Sequence, residues 1–307
     1  MQILYIKFNQ CFCRTTFNGN LVNYKNMKNN KLAVLITSCD AYEDVWDPFF
    51  LLLDRYWPDI PYRVYLNTET KQYNKKFNHF QVESLTLSDI SVNKNVSWSQ
   101  RMKLALDRID EEYVFILIED FFLRERVQTE LIEKIITMMD NAPEMGSVQL
   151  FGTRINCDKQ RQNIQTSALD IFKIENGYAK VVFVPTIWRK STLLKWLRPH
   201  ESIWAFEACG SKRAYRWKYK EQSYRVTSPA IFNYLWEKDC YCVVNGRWML
   251  HPLLTSLFEE NNIVIDYRLR GTITMEEWRS VSIGSLMKKR GVYGVIKSLI
   301  FRIISFF

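Results

Sequence analysis

The stretch that decides the fold is YVFILIEDFFL, residues 113–123. Its first six residues, 113–118, form an unbroken apolar run, which is typical of a short strand buried on both faces of a sheet. Glu119 and Asp120 follow at once, and a buried carboxylate is costly unless a cation or a metal compensates it. The stretch therefore predicts a buried strand whose end faces a positive charge at Asp120.

Strands and helices alternate around this stretch. Besides 113–118, the apolar runs predict strands at 32–38, 62–68, 80–87 and 146–152, and the spacing of apolar residues predicts helices at 47–57, 97–109 and 128–140. Such alternation indicates a mostly parallel sheet with helices on both faces. Ligands of these sheets bind beyond the carboxyl ends of the strands. Residues 37–40 and Glu119-Asp120 are therefore expected at one rim.

The second half of the chain is less regular. Its pattern predicts strands at 178–186 and 231–236, a hairpin at 240–248 that turns at Asn245-Gly246, and helices at 189–197 and 201–215. We divide the chain into an irregular extension (1–30), a ligand-binding half (31–152), a second half of the same domain (153–280) and a basic tail (281–307).

Charge is unevenly distributed along the 307 residues, whose net charge is +9. Residues 1–150 carry a net charge of −3 and residues 151–307 a net charge of +12. A basic half favours a surface that meets anions such as phosphates or lipid headgroups, although a solvated positive face stays open. The sequence shows no helix-turn-helix, RNP or zinc-finger signature, so we expect no nucleic-acid partner.

Cysteine usage and the N-terminus favour the cytoplasm. The seven cysteines are an odd number, and we interpret them as free thiols in a reducing compartment. The first residues lack the basic region and long apolar core of a signal peptide. Met27 precedes the first regular segment and is a second possible start.

The tail has a distinct pattern. In GVYGVIKSLIFRIISFF (291–307), the polar residues fall on one narrow stripe of a helix, and KKR (288–290) lies just upstream. This is typical of an amphipathic helix lying on an anionic membrane, so we expect a peripheral protein at the inner face of the plasma membrane. The alternative, a terminal helix docked on the protein's own core, stays open.

Two longer segments resemble a known family. SWSQRMKLALDRIDEEYVFILIEDFFL (97–123) resembles the central segment of GT-A-type glycosyltransferases, and ITSCDAYEDVWDPFF (36–50) is similar to the start of bacterial surface-polysaccharide transferases of the family 2 type. The resemblance covers residues 32–125 most clearly and continues to about 250. It implies a GT-A-like α/β fold with a Rossmann-like nucleotide-sugar-binding half. It also implies transfer of a sugar from a nucleotide-diphosphate sugar to a glycan or lipid-linked acceptor.

The resemblance implies a metal site at the acidic strand end. Asp120, assisted by Glu119, would hold Mg²⁺ or Mn²⁺ against the diphosphate, and His251 is a candidate third ligand. The chain departs from the family's Asp-x-Asp pattern, because Ile118 occupies the first position. In the alternative interpretation, Glu119 caps the following turn and Asp120 pairs with Arg124 or Arg126.

The resemblance also implies the remaining site residues. Nucleotide contacts are expected from the loop at the end of the first strand, through Thr37, Ser38 and Asp40. Asn67, at the end of the second strand, could join them. Arg101 is expected to contact the diphosphate or the sugar, and its alternative is a solvent-facing helix charge. An inverting transferase needs a general base, for which we favour Glu207, then Glu201. Solvated glutamates on an amphipathic helix are the alternative there.

Two other functions stay open. One is a membrane-associated scaffold that keeps the GT-A fold without turnover, and Glu119 in place of an aspartate is the feature that favours it. The other is a nucleotidyltransferase, which is disfavoured because ITSCDAYED (36–44) has neither the glycine nor the lysine expected of its phosphate-binding loop.

Overall fold

The computed structural model describes residues 31–87, 96–150, 163–165, 169–175, 179–216, 218–235 and 241–280. The predicted extension (1–30) and amphipathic tail (281–307) lie outside these ranges. Among the described residues, no helix is both long and apolar enough to cross a membrane.

The described strands form one large sheet and one small sheet. The strands are β1 Leu32–Thr37, β2 Arg63–Asn67, β3 Val82–Leu85, β4 Tyr113–Ile118, β5 Met145–Gln149, β6 Asn163–Gln165, β7 Asp170–Lys173, β8 Thr186–Arg189, β9 Gln222–Ser228, β10 Val243–Val244, β11 Arg247–Met249 and β12 Thr272–Ile273. Their order is β3-β2-β1-β4-β8-β5-β9-β7-β6 in the large sheet and β10-β11-β12 in the small one.

The described helices are α1 Glu43–Tyr56, α2 Trp98–Asp107, α3 Thr129–Asn141, α4 Lys190–Trp196, α5 Ile203–Ala205, α6 Ser211–Arg216, α7 Pro252–Glu260 and α8 Met275–Ser280. A 3₁₀ turn, Asp40–Tyr42, leads into α1, and a π-helical turn, Phe206–Gly210, joins α5 to α6. Ser97 caps α2 in a capping box with Gln100.

The predicted α/β fold with a mostly parallel, helix-flanked sheet is confirmed. Strands β3, β2, β1 and β4 are mutually parallel neighbours, and within the described part of the large sheet only β7 and β8 run the other way. Alternate residues of β1 enter two apolar layers. Leu32, Val34 and Ile36 pack with α1 and α3, whereas Ala33 and Leu35 pack with α2 and α4.

Two predicted strands of the second half are wrong. Residues 179–185 form bends, and the strand begins only at Thr186, after Pro185, which has no N–H for a sheet. Residues 231–235 also lack a regular strand, but they run beside the chain that follows β4. Gln128 N donates to Ile231 O at 3.1 Å, and Leu235 N donates to Phe122 O at 2.7 Å.

The predicted hairpin and helices of this half are confirmed. β10 and β11 pair antiparallel around Asn245 and Gly246, whose φ angles of 52° and 76° are those of the tight turn that an Asn-Gly pair favours. Helix α4 and the segment from α5 to α6 match the predicted helices. β8 inserts antiparallel between β4 and β5, so one sheet runs through both halves.

Candidate functional site

The structure brings the two predicted strand ends together. In the parallel ladder, Thr37 of β1 pairs with Asn67 of β2 on one side and with Ile118 of β4 on the other. Ser38 N donates to Asn67 O at 3.0 Å, which continues the pairing past the strands. The residues that follow β1, β2 and β4 therefore share one rim, as the sequence predicts.

A buried carboxylate pair ends β4. Glu119 is 5% exposed, and its Oε2 has no hydrogen-bond partner. The nearby Ser38 hydroxyl acts to lower the pKa of this carboxyl group. Asp120 is half-buried, and its buried Oδ1 has no partner either. Burial raises the pKa of both groups, and repulsion from Asp120 raises the pKa of Glu119 further. The pair is costly as it stands, so it is suited to a cation.

The alternative pairing of Asp120 with Arg126 is not formed, because Arg126 pairs with Asp59 at 3.5 Å. The cation that acts on Glu119 comes from much later in the chain. The positive charge of Arg270 lowers the pKa of Glu119, but by less than burial and Asp120 raise it. The positive charge expected at Asp120 therefore exists at this rim and acts on Glu119 instead.

Arg270 is held firmly in this position. Its Nε donates to Asp44 Oδ2 at 2.8 Å, its Nη2 donates to Ala41 O at 2.9 Å, and its guanidinium lies 4.5 Å from the ring centre of Tyr42. Burial, followed by the charges of Glu119 and Asp120, raises the pKa of Tyr42 to about 12. No local sequence pattern marks Arg270, so its position at the rim could not be predicted.

Asp40, a predicted nucleotide contact, stabilises the rim loop. The Asp40 carboxylate accepts from Glu69 N at 3.1 Å, Thr70 N at 3.0 Å and Lys71 N at 3.2 Å. Burial acts to raise the pKa of Asp40, but these hydrogen bonds and one from the Thr70 hydroxyl lower it on balance. Asp40 therefore shapes the rim and has little capacity left for a ligand.

Arg101 points inward, so the solvent-facing alternative is wrong. It is 6% exposed, donates from Nη2 to Ser38 O at 3.0 Å, and bonds to Glu69 through Nη1. Its Nε is buried without a hydrogen-bond partner. Arg101 thus ties the end of β1 to the loop after β2 and keeps one donor unused.

Asn67 has the least satisfied side chain of the rim. It is fully buried, and neither its Nδ2 nor its Oδ1 has a hydrogen-bond partner. Thr37 and Ser38, in contrast, accept from Trp98 Nε1 at 2.9 Å and from Trp46 Nε1 at 2.7 Å. Buried polar groups are rarely left unpaired. The unpaired atoms of Asn67, Glu119, Asp120 and Arg101 therefore mark this rim as a site for a polar ligand.

The two predicted general bases have different environments. Glu201 is fully buried, and its oxygens accept from Arg213 at 2.5 and 3.1 Å, so its carboxylate is committed to a structural ion pair. Glu207 lies half-buried on the π-helical turn, where its Oε1 accepts from Phe183 N at 3.0 Å. Burial raises the pKa of Glu207. Burial raises the pKa of Glu201 as well, so the two carboxylates differ chiefly in that Glu201 is paired with a buried arginine.

Aromatic contacts connect the π-helical turn to the rim. The ring of Trp98 lies 5.1 Å from that of Phe183 and 5.9 Å from that of Phe206, while its Nε1 bonds to Thr37. Phe183 also donates the backbone hydrogen bond to Glu207. Glu207 is thereby positioned relative to the strand ends through two packed side chains.

His251 does not join the acidic pair as a third ligand. It caps α7, and its Nδ1 accepts from Leu253 N at 3.2 Å. Within the described ranges, no three His, Cys, Asp or Glu side chains are placed to bind one metal ion. The unpaired oxygens of Glu119 and Asp120 nevertheless fit Mg²⁺ or Mn²⁺ in another way, because Mg²⁺ is commonly bound by one or two carboxylates together with substrate phosphates.

A surface cleft of ≈ 390 Å³ lies apart from these residues. It is lined by the second half of α1 and by two loops, through Leu51, Asp54, Arg55, Asn78, His79, Asn261 and Ile263. Asp54 accepts from His79 N at 2.9 Å and from Asn78 Nδ2 at 2.7 Å, so its carboxylate fixes the loop that follows Phe77. None of the predicted site residues lines this cleft.

No protein-family profile matches the chain, and no curated protein matches it. Among solved structures, a crystal structure of S. aureus TarS 1-349 aligns over 66% of this chain and 60% of that chain, with a TM-score of 0.41 and 11% identity. TarS 1-349 in complex with UDP-GlcNAc aligns over 78% and 69%, with a TM-score of 0.43 and 11% identity. In complex with UDP, it aligns with a TM-score of 0.40 and 13% identity. The function of the present chain therefore rests on its own residues.

Proposed function

We propose that this protein is a GT-A-type glycosyltransferase. It transfers a sugar from a nucleotide-diphosphate sugar to a glycan or lipid-linked acceptor in surface-polysaccharide biosynthesis. The observation that carries the proposal is a pair of carboxylates at the carboxyl edge of four parallel strands, each with a buried oxygen that has no hydrogen-bond partner. It supports the sequence resemblance, because the divalent cation that accompanies a nucleotide diphosphate supplies the positive charge that the pair lacks.

Glu119 and Asp120 would hold the divalent cation through Oε2 and Oδ1, the two oxygens without partners. When bound, Mg²⁺ or Mn²⁺ supplies a Lewis acid that neutralises charge on the departing diphosphate. Arg270 is fixed beside the pair and adds a permanent positive charge on the same side. The site then needs only two protein ligands, which fits the absence of an aspartate at Ile118.

The nucleotide would lie along the ends of β1 and β2. Asn67 offers an unpaired amide, and Arg101 offers its unused Nε. Thr37 and Ser38 have hydroxyls already oriented by tryptophan N–H groups. In this arrangement Asp40 acts indirectly, since it holds residues 69–71 in place.

Glu207 would act as the general base of an inverting transfer. Its carboxylate takes the proton of the acceptor hydroxyl, the acceptor oxygen forms a bond to the anomeric carbon, and the bond from that carbon to the diphosphate oxygen breaks. The raised pKa of Glu207 brings it closer to neutral pH, where a general base is most effective. Glu201 is left out of this role, because Arg213 occupies both of its oxygens.

Thermal unfolding tests the proposal. Uridine-, guanosine- and thymidine-diphosphate sugars are added singly to the protein, each with and without Mn²⁺. A ligand at ~100 times its Kd stabilises the fold by about 2.7 kcal/mol, so one donor should raise the melting temperature clearly, and only with Mn²⁺. Asp120→Ala should abolish that rise. Asp266→Ala, which removes a surface carboxylate paired with Arg268, is the matched control and should keep it.

The second candidate is a GT-A-fold scaffold without turnover. Ile118, in place of an acidic residue, is the observation that favours it. A protein that binds a nucleotide-sugar with Mn²⁺ but neither transfers nor hydrolyses it would support this candidate over the transferase.

A further inference from the structure

The helical segment that carries Glu207 has an outward side of unusual composition. Five exposed residues on this side, which we call the outer face, are Trp204, Ala208, Lys212, Tyr215 and Arg216. Successive members are three or four residues apart, or adjacent at the end, so they lie along one side of the helix. Trp204 is 73% exposed and Tyr215 is 58% exposed, which is unusual for side chains of this size.

The opposite side of the same segment is firmly anchored. Phe206 packs against Trp98, the Ser211 hydroxyl accepts from Val181 N at 2.8 Å, and Arg213 forms its buried ion pair with Glu201. The inner side of the helix therefore makes the contacts that hold the segment in the fold. The exposed residues of the outer face are presented on a rigid support, and substituting them leaves these inner contacts in place.

The outer face belongs to a cationic surface. From Ala208 to Lys220 the chain contains no aspartate or glutamate. Lys212, Arg216, Lys218 and Lys220 are all exposed. Such a run attracts an anionic partner over the range of electrostatic screening, about 8 Å at physiological salt.

The shape of the face selects among anionic partners. Saccharides and other small ligands are bound mainly in concave sites. Trp204 and Tyr215 instead protrude from the convex side of a helix. Tryptophan and tyrosine are enriched where proteins meet the headgroup layer of a bilayer, and neighbouring lysines and arginines strengthen binding to anionic lipids.

We propose that the outer face binds an anionic lipid bilayer, with Trp204 and Tyr215 at the level of the headgroups. The outer face includes no residue of the tail (281–307). Trp204 lies one helical turn before Glu207, so the contact holds the π-helical turn close to the membrane. If the proposed transferase function is correct, a lipid-linked acceptor is thereby presented to Glu207. The membrane contact itself does not depend on that function.

Vesicle co-sedimentation of the full chain tests the proposal. The vesicles contain phosphatidylcholine alone or with about 30% phosphatidylglycerol, which supplies the negative surface potential. The variants are Trp204→Ala/Tyr215→Ala and Lys212→Glu/Arg216→Glu. The control is Lys76→Glu/Lys134→Glu, which changes the net charge equally at two exposed lysines elsewhere.

We expect binding to the anionic vesicles only. Each lysine or arginine near the surface contributes about 5-fold in affinity, so the Lys212/Arg216 reversal should weaken binding at least about 25-fold. The aromatic variant should also weaken binding about 10-fold or more, because it removes the apolar insertion. The control should remain within about 3-fold of the wild type, the effect of general charge alone.

Three results would overturn the proposal. In the first, both outer-face variants bind anionic vesicles as tightly as the wild type does, which would assign any membrane contact to another part of the chain. The second is an equal loss in the control. In the third, the outer-face variants lose binding to a soluble anionic polysaccharide but keep binding to vesicles, which would make the face a glycan site. The vesicle assay measures membrane binding alone, so each of these results can be interpreted even if no nucleotide-sugar raises the melting temperature.

Discussion

Arg270 and Asp44 are 226 residues apart in the chain, yet the Arg270 guanidinium forms a two-point ion pair with the Asp44 carboxylate at the rim of the sheet. The Arg270 side chain is 7% exposed. It also donates to Ala41 O and Gly246 O, so it connects the start of α1 to the small sheet β10-β11-β12. This contact ties the last described part of the chain to the residues that flank the carboxylate pair.

Replacing Arg270 by alanine should destabilise the protein by about 3 kcal/mol, because it leaves Asp44 and two carbonyl groups poorly compensated. Urea unfolding measures the change. Arg268→Ala is the control, since Arg268 is 91% exposed in its pair with Asp266 and should cost less than about 1 kcal/mol. An equal, small cost for both substitutions would show that the Arg270 contact contributes nothing beyond a surface pair.

Glu119→Gln should change stability in a pH-dependent way in metal-free protein. The folded pKa of Glu119 is raised above its unfolded value, so the favourable contribution of its protonated form is complete at low pH and is lost as the pH rises through the folded pKa. The substitution should therefore raise the melting temperature at about pH 9 and have little effect at about pH 4. Circular dichroism with EDTA measures it.

The control for this pH series is Glu276→Gln, at an exposed position of α8. It should shift the melting temperature little at either pH. The burial account of the acidic pair fails if Glu119→Gln lowers stability at high pH, or if its effect is the same at both ends of the series.

Substitutions should show that Glu201 is a structural residue and that Glu207 is a catalytic one. Glu201→Ala leaves Arg213 buried without its partner and should cost about 3–5 kcal/mol in urea unfolding. Glu207→Gln keeps the shape of the side chain, so we expect a small change in stability but a loss of about 10²–10⁴ in the rate of sugar transfer. The assignment is reversed if Glu207→Gln keeps its rate, or if Glu201→Ala unfolds like the wild type.

Asn67→Leu should stabilise the free protein and weaken its binding of the nucleotide-sugar. The buried amide has no partner, and such groups cost about 1–3 kcal/mol, so the apolar replacement of similar size should stabilise the free protein. The same change should remove the melting-temperature rise produced by the nucleotide-sugar with Mn²⁺. Stabilisation of the free protein with an undiminished rise would place Asn67 outside the binding site.

The parts of the fold that were predicted from sequence have local signals. The apolar run 113–118 and the Asn245-Gly246 turn are visible within a few residues, and both are confirmed. Strand β9 was missed because Ser223 and Arg225 are buried in it. Their partners are Ser147, at 2.9 Å, and Gln149, at 2.9 and 2.6 Å, each 76 residues away. Only tertiary pairing makes such a polar segment a core strand.

The residues of the candidate site also differ in whether a local sequence signal predicts them. Glu119, Asp120 and Asn67 could be predicted because the first two directly follow, and the third ends, strands that the sequence marks. The structural roles of Arg270 and Glu201 could not, because each depends on a partner that the fold brings from another element. His251 was a candidate through the family resemblance, and its Nδ1 in fact caps a helix. Residue type therefore indicated candidates, and the contacts of each side chain separated them.

The central claim is that Glu119 and Asp120 bind a divalent cation together with a nucleoside diphosphate. Electron paramagnetic resonance of Mn²⁺, titrated with protein in the presence of uridine or guanosine diphosphate, measures it directly. The account predicts one bound Mn²⁺ per chain with one of these nucleotides and at least about 10-fold weaker binding for Asp120→Asn, since the anionic ligand is lost. Equal Mn²⁺ binding by wild type and Asp120→Asn, or no nucleotide-dependent binding by the wild type, would contradict it.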